Sequence, residues 1–125
     1  MQNDEEEVRY ACVSWIERQD GRLLCVWNGR YAGWAMPGGL QEPGETSEVA
    51  QARELGEETG MGTASRALIF EGAHGVQAAE ARGRASIVRL YRVLATGTPR
   101  EMEIGRPITW LTREEFLKWS PFGGF

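Results

Sequence analysis

The sequence predicts a single α/β domain in which strands are interspersed with two helices. Its 125 residues suit one domain with one core. Apolar residues make up 42% of the chain, an ordinary share for a globular protein. Short β-rich runs are separated by two segments that carry helix-capping residues. We expect the domain to cover residues 8–120, between an acidic N-terminal end (residues 1–7) and a short tail (residues 121–125).

Strands are predicted wherever β-branched and aromatic residues cluster between turn residues. The turn residues at 19–21 predict that the first two strands form a hairpin. Pro37-Gly38-Gly39 is predicted to end the third strand, and residues 41–45 and 97–107 are predicted loops. The predicted strands are Val8–Ile16, Arg22–Trp27, Trp34–Met36, Arg66–Glu71, Ala85–Ala95 and Ile108–Leu111, with residues 75–83 as a weaker candidate.

Two helices are predicted from their caps. The first begins near Thr46 or Ser47, either of which can accept a hydrogen bond from the first turn. Gly60 is expected to end this helix, because glycine readily takes the left-handed conformation found after a helix C-terminus. The second helix covers residues 112–119, whose first and fourth residues match the Thr-x-x-Glu capping box.

Charge and cysteine content exclude several classes of protein. The net charge of −4 equals the charge of the acidic run at residues 4–7, so the remainder is balanced and lacks the basic footprint of a nucleic-acid binder. Cys12 and Cys25 lie in apolar strand-like runs and predict buried, reduced thiols. Neither a signal-peptide pattern nor a membrane-spanning apolar run is present in the sequence, so we expect a cytoplasmic protein without a membrane partner.

The second half of the first helix concentrates negative charge. Glu54, Glu57 and Glu58 fall within about one third of the helix circumference. Their mutual repulsion and the negative end of the helix dipole each cost about 0.3–1 kcal/mol. Arg53 is the only basic residue in the sequence from 42 to 60. A solvated acidic face is one explanation; a site where carboxylates and a backbone carbonyl bind Mg²⁺ together with phosphates is the other.

A longer pattern around this helix resembles the Nudix box, G-x5-E-x7-R-E-U-x-E-E-x-G-U, in which U is aliphatic. Such a long motif is far more specific than a lone glycine pattern. The chain is therefore identified as a member of the Nudix hydrolase superfamily, of the small, single-domain MutT-like kind. The matching residues are Gly39, Glu45, Arg53, Glu54, Leu55, Gly56, Glu57, Glu58, Thr59, Gly60 and Met61.

The resemblance implies an α/β/α sandwich around a mixed sheet, with the box as a loop–helix–loop. It also implies Mg²⁺-assisted, or Mn²⁺-assisted, attack of water on a diphosphate linkage of a nucleoside diphosphate derivative. The leading expectation is a (deoxy)nucleoside triphosphate cleaved to monophosphate and pyrophosphate. A nucleotide-sugar or dinucleotide pyrophosphatase and a non-catalytic nucleotide sensor are the alternatives. The expected partner is a small-molecule nucleotide, and the expected state is a monomer or homodimer.

The resemblance also assigns roles within the box. Glu57 and Glu58 are expected to be direct metal ligands, and Glu54 is a further ligand or the base that deprotonates water. Gly38 is expected to offer its backbone carbonyl to the metal. Arg53 is expected to pair with Glu57 or Glu45 and to hold the carboxylates in register.

The remaining expectations are finer. Glu45, Gly39 and Gly60 are expected to support the loops around the site. Many family members add a carboxylate from outside the box; Glu101 and Glu103 are the candidates, and Glu103 is favoured because it lies seven residues before Trp110.

Substrate contacts are predicted around the second and third predicted strands. Trp27 and Trp34 are candidates for stacking on a base. MutT-type members often place a phosphate-contacting arginine where this chain has Trp27-Asn28, so Arg30 is the candidate replacement from the adjoining loop.

Overall fold

The structure, a computed structural model, describes residues 8–29, 32–73 and 85–120. Several predictions fall outside these residues: the acidic N-terminal end, Arg30, the whole of the weaker strand candidate at 75–83, and the tail. The described elements, in chain order, are strands β1 (Val8–Trp15), β2 (Leu23–Asn28), β3 (Gly33–Ala35) and β4 (Gly38–Leu40), helix α1 (Ser47–Thr59), strands β5 (Gly62–Ala73), β6 (Ala85–Thr96) and β7 (Ile108–Leu111), and helix α2 (Arg113–Trp119).

The strands form two sheets with two helices packed against them. The first sheet has the order β4-β1-β6-β5 and the second β3-β2-β7. β1 and β6 are parallel and the other pairs antiparallel, so the larger sheet is mixed. One core cluster contains Ala50 and Leu55 of α1, and a second contains Phe116 of α2. The predicted α/β class, with its mixed sheet between helices, is confirmed.

The predicted hairpin between the first two strands is wrong. Near the turn the chain does start one, because the Leu24 amide donates to the Ile16 carbonyl at 3.0 Å. Beyond that point β1 pairs with β6 in parallel over eight residues and with β4 on its other side. β2 instead pairs with β3 and β7. Local turn chemistry predicted the turn, but long-range pairing decides which sheet each strand joins.

Strand β4 is not among the predicted strands, because Pro37-Gly38-Gly39 was expected to end the strand before it. Gly38 and Gly39 instead pair with Val13 and Cys12 of β1. A Cβ atom on Gly38 would lie only 2.7 Å from the Cys12 carbonyl oxygen, so the absent side chain allows the close approach. β5 is also longer than predicted, since it follows β6 over nearly its full length with two irregularities in register.

The predicted helix boundaries are confirmed. The Thr46 hydroxyl accepts a hydrogen bond from the Val49 amide at 3.2 Å, and Gly60 ends α1 with φ of 75°. The capping box of α2 forms in both directions between Thr112 and Glu115. Neither helix is long and apolar enough to cross a membrane.

Helix α1 is fixed on the larger sheet by a buried glutamine. The Gln51 amide nitrogen donates to Ser14 Oγ at 2.9 Å and to Thr63 Oγ1 at 3.1 Å. Its oxygen accepts from Arg66 Nε at 2.7 Å. All the polar atoms of this fully buried side chain are therefore hydrogen-bonded, which sets the position and rotation of the helix.

Candidate active site

Helix α1, strand β4 and the loop at residues 97–107 bring four carboxylates together, which we name the glutamate cluster: Glu54, Glu57, Glu58 and Glu103. The three on the helix differ in environment. The side chain of Glu58 is 3% exposed and that of Glu54 is 15% exposed, whereas that of Glu57 is 55% exposed. Two of the three are thus withdrawn from water, which a simple solvated acidic face does not require.

Glu58 is held at both carboxylate oxygens. Its Oε1 accepts a hydrogen bond from the Gly38 amide at 2.9 Å, and its Oε2 lies 3.0 Å from Nη1 of Arg106. Burial raises the pKa of Glu58 to about 7, although Arg106 and the Gly38 amide both favour the ionised form. The nearby charges of Glu54 and Glu103 act in the same direction as burial.

Glu54 lies directly over strand β4. A Cβ atom on Gly39 would be 2.5 Å from Cδ of Glu54, so only glycine leaves room for this carboxylate. Arg53 donates from Nη1 to Glu54 Oε2 at 3.1 Å. Burial raises the pKa of Glu54, and the negative charges of Glu57 and Glu103 add to this effect.

Arg53 joins the helix to the loop before it. Its Nε and Nη2 donate to the two carboxylate oxygens of Glu45 at 2.5 and 3.0 Å, a bidentate contact. It also donates to Glu57 at 3.2 Å and to the Leu40 carbonyl at 3.2 Å. The hydrogen bond from Arg53 lowers the pKa of Glu45, which keeps that carboxylate ionised. One side chain therefore contacts the loop, the strand and two carboxylates of the cluster.

Backbone hydrogen bonds attach the loop at residues 97–107 to helix α1 and to strand β2. The Arg100 amide donates to the Thr59 carbonyl at the end of α1, at 2.9 Å, and the Pro107 carbonyl accepts from the Trp27 amide at 2.9 Å. Between these two points Glu103 lies 3.3 Å from Arg106 and close enough to Glu54 and Glu58 to raise their pKa values. Glu101, the other candidate in this loop, is exposed.

The two predicted stacking residues form an aromatic pair. The ring centroids of Trp27 and Trp34 are 5.3 Å apart at an interplanar angle of 74°, an edge-to-face arrangement. They line a cavity of about 420 Å³ together with Ala32, Leu111, Glu115 and Trp119. Arg106 connects this region to the cluster, because its Nε donates to the Trp27 carbonyl at 3.3 Å.

Sequence reasoning missed Arg106 and Trp119. Arg106 stands far from the helix glutamates along the chain, and the box pattern has no position for it. Its only sequence signal is that it is a basic residue in the loop where a carboxylate was expected, separated from β7 by Pro107. Trp119 had no signal beyond its place at the end of α2.

The donors of the cluster suit a hard divalent cation, since they are carboxylate oxygens of the kind that Mg²⁺ and Mn²⁺ prefer. Within residues 8–29, 32–73 and 85–120, however, no three His, Cys, Asp or Glu side chains are grouped so as to hold a metal ion as they stand. Two of these carboxylates already contact a guanidinium: Arg53 lies against Glu54, and Arg106 lies against Glu58. The residues fit a metal by chemistry, after rearrangement of side chains.

The fold and the site together define a class of small α/β domain: a mixed sheet, a strand that contains two glycines, and a glutamate-rich helix after that strand. Comparison with known proteins identifies this class. Residues 7–123 match the profile of the NUDIX domain. The chain belongs to this family, so the prediction of a Nudix protein is confirmed.

Relatives agree with this assignment. The chain is 34% identical over 101 residues to a "MutT-like protein" of Streptomyces ambofaciens, covering 80% of this chain and 61% of that protein. It is 36% identical over 91 residues to a protein of Mycobacterium tuberculosis named as a candidate 8-oxo-dGTP diphosphatase, covering 70% and 61%. It is 33% identical over 113 residues to diphosphoinositol polyphosphate phosphohydrolase 2 of Rattus norvegicus, covering 88% and 60%. The chain thus spans about three-fifths of the length of these curated relatives.

Solved structures agree on the fold. The crystal structure of the MutT NUDIX hydrolase of Burkholderia pseudomallei superposes with a TM-score of 0.73 at 27% identity, covering 96% of this chain and 92% of that one. The solution structure of the E. coli ORF135 protein gives a TM-score of 0.75 at 25% identity, covering 98% and 87%.

Proposed function

We propose that the chain is a divalent-metal-dependent Nudix hydrolase that cleaves a diphosphate linkage in a nucleoside diphosphate derivative. The leading substrate is a (deoxy)nucleoside triphosphate, hydrolysed to the monophosphate and pyrophosphate. The observation that carries the proposal is the glutamate cluster, in which Glu54 and Glu58 are withdrawn from water beside Glu57 and Glu103. Family membership and the names of the MutT-like relatives support the choice of reaction.

The proposed roles are those that the family resemblance implies, and the surroundings of the residues support them. Glu57 and Glu58 hold the cation, with Glu103 and the Gly38 carbonyl as further candidate donors. When bound, Mg²⁺ or Mn²⁺ offsets the charge of the phosphates and acidifies a water molecule. Glu54 takes the proton of the attacking water. Its raised pKa suits this task, because a base is most effective when its pKa lies near the working pH.

The proposed reaction is a single displacement at phosphorus. The oxygen of water bonds to phosphorus as the phosphoanhydride P–O bond breaks. The leaving group, which is pyrophosphate for attack at the α-phosphorus or the nucleoside monophosphate for attack at the β-phosphorus, takes the electron pair. Arg53 keeps Glu54 and Glu57 in register from the helix side and ties them to Glu45. Because Gly39 has no side chain, it leaves room for the Glu54 carboxylate. Gly60 ends α1 at the point where the loop at residues 97–107 contacts the helix.

The nucleoside part of the substrate is proposed to contact Trp27 and Trp34. Their aromatic cavity adjoins the cluster through Arg106 and offers flat apolar surface for a base. Arg30 remains the proposed phosphate contact of the neighbouring loop.

The test is a hydrolysis screen of the purified chain with Mg²⁺ or Mn²⁺, against an EDTA control. The panel contains the common nucleoside triphosphates, 8-oxo-dGTP, a nucleotide sugar, a dinucleoside polyphosphate and an inositol pyrophosphate. Products are resolved by ³¹P NMR, which separates pyrophosphate from phosphate. Water labelled with ¹⁸O shows which phosphorus is attacked, because the label enters one product only.

Glu57→Gln and Glu58→Gln are expected to lose nearly all turnover. Glu114→Gln, which removes an exposed carboxylate from α2, is the matched control and should retain it. Full turnover in Glu57→Gln would refute the assignment of the site. Metal binding without hydrolysis of any compound would instead favour a nucleotide sensor.

A further inference from the structure

Arg106 occupies the oxygen of Glu58 that a divalent cation would use. Its Nη1 lies 3.0 Å from Glu58 Oε2, while the other oxygen of that carboxylate already accepts the Gly38 amide. We propose that Arg106 and the divalent cation are alternative partners of Glu58, so that binding of the cation releases Arg106 from the glutamate cluster. This exchange rests on the proposed function only in requiring that a divalent cation bind there.

Electrostatics makes the two partners exclusive. A dication bound to Oε2 of Glu58 would face a guanidinium nitrogen that is only 3.0 Å from the same oxygen. Like charges at such separation, beside a carboxylate that is itself 3% exposed, repel strongly. A carboxylate that is 3% exposed also has few other directions from which a ligand can approach it. One cation has to leave for the other to bind.

Arg106 is the partner that is free to move. Glu58 projects from the last turn of a capped helix, whereas Arg106 extends from a loop and its side chain is 33% exposed. The other contacts of Arg106 are longer hydrogen bonds, at 3.3 Å to the Trp27 carbonyl and 3.3 Å to Glu103. Rotation of its long side chain towards solvent breaks these contacts without moving the backbone.

Glu103 is affected by the same exchange. It shares Nη1 of Arg106 with Glu58, so release of the guanidinium frees both carboxylates at once. A helix carboxylate and a loop carboxylate then become available together.

The test is the affinity for Mg²⁺ and Mn²⁺ alone, measured by titration calorimetry without nucleotide. Removing the competitor in Arg106→Ala should tighten binding by about 5- to 150-fold, the usual range for coupled sites. Arg106→Lys, which keeps the charge, should stay near wild type. Arg113→Ala removes an equal charge from a surface arginine whose partners are Glu17 and Trp15, and it should leave the affinity nearly unchanged.

The melting temperature in EDTA gives a second measurement, in which Arg106→Ala should be less stable than wild type although it binds the cation more tightly. Without Arg106, the buried Glu58 loses its counter-ion, so Arg106→Ala should melt at a lower temperature than wild type in EDTA. Saturating Mg²⁺ should raise the melting temperature of Arg106→Ala more than that of wild type.

Wild-type protein provides a measurement that needs no variant. In a ¹⁵N-edited NMR titration with Mg²⁺, the Nε–H resonance of Arg106 should shift as Glu58 is taken by the cation, while that of Arg113 should not. Unchanged or weaker cation binding in Arg106→Ala, no binding by wild type, or an unmoved Arg106 resonance at saturation would each overturn the exchange. If the protein hydrolyses nucleotides but cation binding is unchanged or weaker in Arg106→Ala, or the Arg106 resonance does not move, the proposed function stands and only the exchange is refuted.

Discussion

Adjacent glycines in β4 should respond to the same substitution in different ways. A Cβ atom on Gly38 would lie 2.7 Å from the Cys12 carbonyl oxygen and 2.9 Å from Val13 Cα, both backbone atoms of a strand paired on each side. A Cβ atom on Gly39 would instead overlap the carboxylate at the end of the Glu54 side chain. Backbone in the middle of a sheet cannot yield, whereas a glutamate side chain can rotate.

The magnitudes follow from this difference. Gly38→Ala should lower the free energy of unfolding by about 1–3 kcal/mol, the usual cost of overpacking. For a domain of this size the melting temperature falls by about 4–12 °C. Gly39→Ala should cost about 1 kcal/mol or less, because Glu54 gives up its bond with Arg53 but regains water. Its turnover should fall about 100-fold, as expected when a reacting group is misplaced by about 1 Å.

Urea unfolding followed by tryptophan fluorescence measures the first quantity, and the hydrolysis assay with the best substrate of the panel measures the second. A double-mutant cycle isolates the cause: in a Glu54→Ala background, Gly39→Ala should cost almost no stability, since the overlapping carboxylate is gone. Equal destabilisation by the two alanines, or wild-type turnover in Gly39→Ala, would refute the proposed positions of these atoms.

Three further results are expected. Gly56→Ala should stabilise the protein by about 0.5–1 kcal/mol in urea unfolding, because it removes a helix-interior glycine whose added Cβ atom meets nothing closer than 3.8 Å; a loss of stability would contradict this. In EDTA, the free energy of unfolding should fall as pH rises from about 4.3 to about 7. Folded Glu58 keeps its proton up to about pH 7, whereas the unfolded chain releases it near the usual glutamate pKa of about 4.3, so its contribution is complete at low pH and lost above about pH 7. Glu58→Gln should flatten this slope, and an equal slope in the variant would assign it elsewhere. Finally, native protein should react with a thiol reagent at pH 8 far more slowly than urea-unfolded protein, because burial raises the pKa of Cys25 to about 12 and also raises that of Cys12; equal rates would show that both thiols are accessible.

Local chemistry made the helix and its caps predictable. Thr46 and Gly60 act on the backbone within a few residues of themselves, so the limits of α1 could be predicted without knowledge of the fold. The spacing of the glutamates along the helix likewise fixed which of them share a face. The family pattern added the β4 glycines as part of the site, although their pairing with β1 was not foreseen.

Long-range pairing was not predictable in this way. The runs that became β1 and β2 are each buried along four successive residues, so nothing in their patterning shows that they belong to different sheets. Arg106 was missed for a related reason. Arg106 is distant from the helix in sequence, and the loop at residues 97–107 is placed beside α1 by contacts such as the hydrogen bond from the Arg100 amide to the Thr59 carbonyl.

Repulsion among the glutamates of α1 indicates where the site lies, but it does not show whether arginine or a metal ion offsets their charge. In the metal-free protein Arg53 and Arg106 already offset much of the negative charge, so crowding alone does not require a metal. The stronger indication is the burial of Glu58. Its pKa is raised to about 7 even though an arginine and a backbone amide both contact it, so these partners compensate its desolvation incompletely. Replacing a buried ion pair by apolar residues is often neutral or stabilising, so stability does not explain a carboxylate in this position. The proposed dication would explain it, because a dication returns more of the lost hydration energy than a single guanidinium can.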